Sequence, residues 1–158
     1  MPLHEVSQAA SPRAIVKTAA ESVTSSTVLQ NDDVLLFPIG ASETWIASFV
    51  LYVDGDAAGD IKVTVAGPAG ATGRVSVVGP GTTATTFENA TANNQVNALG
   101  TAPPAGTLGT GNVTVVLVDA LIINGATPGN VTLQWAQNTS SATATRVLDA
   151  SYVIPVKV

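Results

Sequence analysis

A period of two dominates this chain, and it restricts the possible folds more than any single residue does. Val, Ile and Thr recur in short runs separated by Gly, Pro, Asn and Asp, the pattern of strands joined by turns. Strands are predicted near Ser22–Leu29, Val34–Pro38, Thr44–Asp54, Asp60–Ala66, Gly73–Val78, Thr82–Phe87, Asn112–Ile123, Asn130–Gln137 and Arg146–Val156. The one helix-like stretch, Ala14 to Glu21, is short and rich in β-branched and small residues, so it would be marginal in isolation. The connections carry turn chemistry. Asp54-Gly55-Asp56, Gly67-Pro68-Ala69-Gly70, Gly79-Pro80-Gly81 and Asn124-Gly125-Ala126-Thr127-Pro128-Gly129 supply positive-φ positions and fixed φ. Short strands with turns at roughly 8 to 12 residue spacing predict an all-β fold, an antiparallel β-sandwich or jelly roll.

Two stretches fall outside that pattern. Residues 1–20 are polar and Ala-rich and contain Pro2 and Pro12, which predicts an extended N-terminal arm before a β-domain over 21–158. Residues 90–111 are poor in bulky apolar groups and show no clear alternation. They read as a long loop, of a length that in a compact domain is usually functional or disordered. Partner-binding candidates therefore fall in these two places: His4, Val6, Arg13, Ile15 and Val16 in the arm, and Asn94, Val96, Leu99 and Leu108 in the loop.

Composition decides which partners are plausible. Only 11% of the 158 residues are charged, against about 25% in an ordinary domain, so much of the surface must be neutral and polar. Such a surface loses little hydration energy when it meets a neighbour. The net charge of −5, with six Lys and Arg in all, argues against a nucleic-acid partner, whose phosphates need clustered cations. No secretory apolar run opens the sequence. The longest apolar stretch, Val113 to Ile123, is interrupted by Thr114 and Asp119 and falls short of the roughly 20 residues that span a bilayer. No membrane partner is expected. With no cysteine, disulfides and thiolate chemistry are excluded, and stability must come from packing or association.

Catalytic candidates are few. His4 is the single histidine and belongs to the arm, so a Ser-His-Asp arrangement would need a residue from outside the β-domain. The acids sit mostly in turns or at strand ends, and Gly106-Thr107-Leu108-Gly109-Thr110-Gly111 precedes a strand where a phosphate-binding loop would precede a helix. No enzymatic activity and no cofactor are expected. Asp54, Asp56 and Asp60 form the one weak metal candidate, since hard cations favour several oxygens gathered by a turn. The simpler reading is an Asp-Gly hairpin whose side chains bond their own backbone.

Aromatic residues make up 4% of the chain, so their placement is informative. Period two puts Trp45 and Phe49 on one face of their strand and Tyr52 on the other. Val131, Leu133 and Trp135 share an apolar face opposite Thr132, Gln134 and Ala136. Both tryptophans are expected in the core; the alternative is an aromatic platform for sugar.

The segment Leu133-Gln134-Trp135-Ala136-Gln137-Asn138-Thr139-Ser140-Ser141-Ala142-Thr143-Ala144-Thr145, followed by Leu148 and Tyr152, resembles the closing segment of β-domains in tailed-bacteriophage and prophage structural proteins. The run from Lys17 to Asp33 and the Gly67–Thr72 turn resemble the same proteins in the same order. The resemblance implies a jelly-roll-like head, often trimeric, carried on a capsid or tail, and implies no catalytic residues. The expectation is then a virion protein assembled in the host cytoplasm. Its leading form is a capsid decoration (cement) protein that binds the major capsid protein through its arm and associates with itself. The alternative is a tail-fibre or baseplate head that binds a host-surface glycan.

Overall fold

The structure, a computed structural model, describes residues 13–86 and 92–158. Twelve strands form two antiparallel sheets packed as a sandwich, with no helix among the described residues. In chain order they are β1 (Ile15–Val16), β2 (Glu21–Val23), β3 (Gln30–Ile39), β4 (Thr44–Asp54), β5 (Ile61–Ala66), β6 (Thr72–Pro80), β7 (Ala92–Ala98), β8 (Pro104–Ala105), β9 (Thr114–Ile123), β10 (Gly129–Gln137), β11 (Thr145–Val147) and β12 (Tyr152–Lys157). The large sheet runs β1-β12-β4-β9-β6-β7, with β11 beside β4 and β2 beside β11. The small sheet runs β3-β10-β5-β8.

The core follows from strand alternation. From the large sheet, Phe49, Leu51, Val53, Val75, Val77, Val116, Val118 and Ile122 point inward. From the small sheet, Leu35, Phe37, Ile61, Val63, Val65, Val131, Leu133 and Trp135 meet them. Burying one such side chain contributes about 1.5–3 kcal/mol, so the shared layer dominates the stability of the body. Trp135 is fully buried, as expected. Trp45 packs at the core's edge, its ring centroid 5.6 Å from that of Phe37.

Several elements differ from the sequence reading, each for a local reason. The strand predicted over Thr82–Phe87 does not form over residues 82–86: Thr82 and Thr83 make a turn closed by the Ala84 amide on the Gly81 carbonyl at 3.0 Å, and Phe87 lies outside the described residues. The strand predicted over Arg146–Val156 is two strands. Arg146 and Val147 pair with Asp54 and Val53, and Tyr152–Lys157 pair with Val50–Trp45. Between them Ala150 takes φ 63°, and the Ser151 hydroxyl oxygen accepts the Tyr52 amide at 3.0 Å, filling the gap in the ladder. Residues 90–111, read as a loop without structure, contain β7 and β8, which pair with β6 and β5. Prolines keep to positions that need no ladder amide: Pro38 lies on edge strand β3, and Pro155 lies beyond the short stretch of β12 that β1 covers.

Residues 13–20, read as the end of the arm, lie in the body. β1 pairs Ile15 with Val153 and Val16 with Tyr152. Lys17 is 2% exposed, and its ammonium reaches both oxygens of Asp32, at 2.9 and 2.8 Å, and Glu21 at 3.0 Å. Asp32 explains an irregularity in β3. The pairing with β10 jumps from Leu36 opposite Thr132 to Asn31 opposite Gln134, so β3 bulges. The Asp32 carboxylate accepts the amides of Val34 and Leu35 there, at 3.0 and 2.8 Å, and the Trp135 indole N–H at 3.3 Å. A fully buried carboxylate with a paired cation and these donors has its hydration replaced, which is the condition for burying it at all.

Candidate assembly interface

The acidic connection between β4 and β5 carries Asp54, Asp56 and Asp60, the weak metal candidate. Asp54 accepts the Gly111 amide at 2.7 Å and lies 3.8 Å from the Arg146 guanidinium. Asp56 accepts the Ala58 amide at 3.2 Å and the Ser141 hydroxyl at 2.7 Å. Asp60, at φ 51°, accepts the Thr107 amide at 3.0 Å. Burial pushes the Asp60 carboxyl above its usual range, the Thr107 bond opposes that shift, and the Asp56 charge adds to it. Asp54 and Asp60 thus fasten the β8–β9 connection, and Asp56 fastens the β10–β11 connection through Ser141. Among the described residues no cluster of acids or histidines could hold a metal ion. The connection is a structural knot joining three loops.

The partner-binding candidates separate. His4 and Val6 lie outside the described residues. Arg13 is exposed, Ile15 packs against the core, and Val16 is exposed beside β12. Leu108 is 2% exposed, so it cannot meet a partner, and Leu99 is half-buried against the core. Asn94 and Val96 are exposed on β7. Val96 and Val16 both belong to a larger surface, the outer face of the large sheet.

That face is the molecule's most distinctive surface. In β9 the inward residues alternate with Val115, Leu117, Asp119, Leu121 and Ile123, all exposed. Register places Ile46 and Arg74 on either side of Leu121, and Ser48 and Ser76 on either side of Asp119. Val96 follows Ser76 on β7, and Val156 follows Ile46 on β12. Among the described residues, every large apolar side chain that is exposed within a strand lies on this side of the large sheet. The small sheet's outer side instead sets Asn31, Lys62, Asn130, Thr132 and Gln134 among Leu36, Pro38 and Ala66, with no large apolar side chain fully exposed among the described residues and with Gln134 bonded to Asn31 at 2.8 Å. An antiparallel sheet with one wet side alternates apolar-in and polar-out, whereas strands apolar on both sides are normally covered on both. The small sheet follows the first rule and β9 the second.

Two charges sit within the apolar surface. The Ser48 hydroxyl donates to Asp119 Oδ1 at 2.5 Å. Arg74 has no ion-pair partner among the described residues. Between them runs a shallow groove of about 300 Å³ lined by Ile46, Leu121, Val96, Arg74, Ser76 and Asp119. Apart from Val96 and Val16, sequence reasoning missed this surface, although a signal was present. The run from Val113 to Ile123 is apolar at both odd and even positions, which in a strand means two apolar faces.

The fold and this face define an all-β sandwich with one solvated side and one apolar side. Comparison of the chain with protein-family profiles, with curated proteins and with solved structures finds no match in any of the three.

Proposed function

We propose that the chain is a non-catalytic structural protein of a tailed-bacteriophage virion, a capsid decoration protein that lies on the shell and associates with copies of itself. The observation that carries this reading is the apolar outer face of the large sheet. A contiguous apolar patch of this extent on a domain marks a surface meant to be covered, and here it spreads over an open sheet whose two aromatics, Tyr52 and Tyr152, are half-buried rather than displayed. Both tryptophans are engaged elsewhere, Trp135 with Asp32 and Trp45 with Glu43. The likeness of Leu133–Thr145 to phage structural proteins supports the virion part. Shell attachment is assigned to residues 1–12, because residues 13–20 are already committed to the sandwich.

Copy number in purified virions tests the reading. Hundreds of copies per particle are expected of a shell protein, a handful would place it on the tail, and absence from the particle would overturn the proposal. Removing residues 1–12 leaves β1 and Lys17 in place, so the body should still fold. The expected outcome is loss of co-sedimentation with shells; retained binding would remove the arm from the proposal.

A further inference from the structure

We infer that the outer face of the large sheet is a two-fold contact between two copies of this chain, with Arg74 of each copy paired to Asp119 of the other. The inference rests on the self-association in the proposed function and names the surface that performs it. Three observations lead to it.

Extent is the first. The face spans β12, β4, β9, β6 and β7. The five strands hold 43 residues, which at roughly 4.8 Å spacing and about 3.3 Å rise cover on the order of 700 Å², within the range per partner of a standard stable interface. Shape is the second. The face is an open sheet surface whose groove beside Leu121 is shallow, and two sheet surfaces pack well against each other in aligned sheet-on-sheet contacts. Charge is the third. An apolar contact cannot bury a lone cation or a lone anion without cost, and this face carries one of each. Ser48 satisfies only Oδ1 of Asp119, leaving Oδ2 without a partner among the described residues.

Geometry decides how the charges meet. Arg74 lies opposite Leu121 and Asp119 opposite Ser76, so the two occupy opposite corners of one cell of the β6–β9 ladder. The other diagonal of that cell joins Leu121 to Ser76 and, extended, meets Thr44 on β4 and Asn94 on β7, with Ile46 and Val96 beside it on opposite sides. A two-fold axis lying in the face along that second diagonal carries each of the two corners close to the other's position, a few Å apart on a cell of roughly 4.8 by 6.6 Å. Leu121 then packs on its own copy, Ile46 and Val96 lie on opposite sides of the axis, and each Arg74 comes within side-chain reach of Asp119 of the second copy. Isologous contacts have this property of serving both members of an unlike pair at once. The groove between the charges becomes the centre of the contact.

Sedimentation velocity across micromolar to millimolar concentration tests this directly on the full chain. The expected result is a dimer. Arg74→Asp alone and Asp119→Arg alone each place like charges opposite one another and should weaken the dimer more than tenfold. An equimolar mixture of the two variants restores both pairs and should recover a dimer. Leu121→Lys should abolish it. All three positions are on the outer face, and circular dichroism melts confirm that each variant is folded. A monomer at every concentration, a trimer of the unmodified chain, variants that associate as well as the parent, or a mixture that fails to recover would each overturn the inference. A chain that stays monomeric yet is abundant in virions would overturn this contact alone; a dimer absent from virions would overturn the virion reading alone.

Discussion

Lys17 looks from its neighbours like part of a polar arm, yet it is the cation of the most buried ion pair in the described structure. Nothing local announces this, because its partner Asp32 lies in a segment that reads as an ordinary Asn-Asp-Asp turn. Removing the cation leaves a fully buried carboxylate uncompensated. Lys17→Met should therefore cost about 3–5 kcal/mol in chemical denaturation, and Lys17→Met with Asp32→Asn should cost less than the single change, since the orphaned charge is gone. A double variant as unstable as the single one would show that packing, not charge, sets the loss. Glu43 acts in the opposite environment, near the surface. Lys157 at 2.6 Å, the Gly40 amide at 2.7 Å and the Trp45 indole at 2.8 Å hold its carboxyl down at about 2, the Lys157 bond being the largest cause. A depressed carboxyl stabilises the fold fully above its unfolded value near 4.5 and loses that contribution as pH falls towards 2. Glu43→Gln should thus lower the melting temperature at pH 7, with the difference from the parent shrinking below pH 4.5 and closing near pH 2.

At the scale of elements, the long alternating strands were legible and the short or polar ones were not. The predicted and observed bounds of β4 coincide, because eleven residues of apolar alternation end at an Asp-Gly turn. β7 was hidden because Ala-Asn-Asn-Gln-Val-Asn-Ala has little intrinsic strand preference and is held as a strand by its ladder to β6. Residues 82–86 show the converse, Thr-rich sequence overridden by a turn. One glycine fixes how β6 enters the large sheet. Gly73 has φ 150°, and a Cβ there would lie 1.9 Å from the Leu121 carbonyl oxygen. Gly73→Ala must push β6 off β9 and should cost about 2–4 kcal/mol, measurable in urea. The Asp54–Asp60 connection is tied by its own backbone and hydroxyl donors, so dialysis against a chelator should leave the melting temperature unchanged. A fall would mean that a cation, not the loops, holds those acids.

For the whole molecule, the two-layer arrangement was readable from period two, while the asymmetry between its outer sides was not. Alternation reports which residues face one way; it does not report whether the other side meets water or protein. Only the register that sets Ile46 beside Leu121, and Val50 and Val78 beside Leu117, turns scattered apolar residues into a surface. If that surface is covered by a second copy, unfolding is linked to dissociation, and the melting temperature should rise with protein concentration. Calorimetry at two concentrations tenfold apart checks this, and identical transitions would speak against coupling. The pairing of β1 with β12 has a further consequence, for synthesis. A strand made among the first residues finds its place only against one made more than a hundred residues later, and the amide and carbonyl of Lys17 are likewise fastened to Ser151 and Ala150. Until that late strand leaves the ribosome, residues 13–20 have no sheet to join and Lys17 no finished site to fill. The body therefore cannot close before β12 has been made, and assembly waits on that strand.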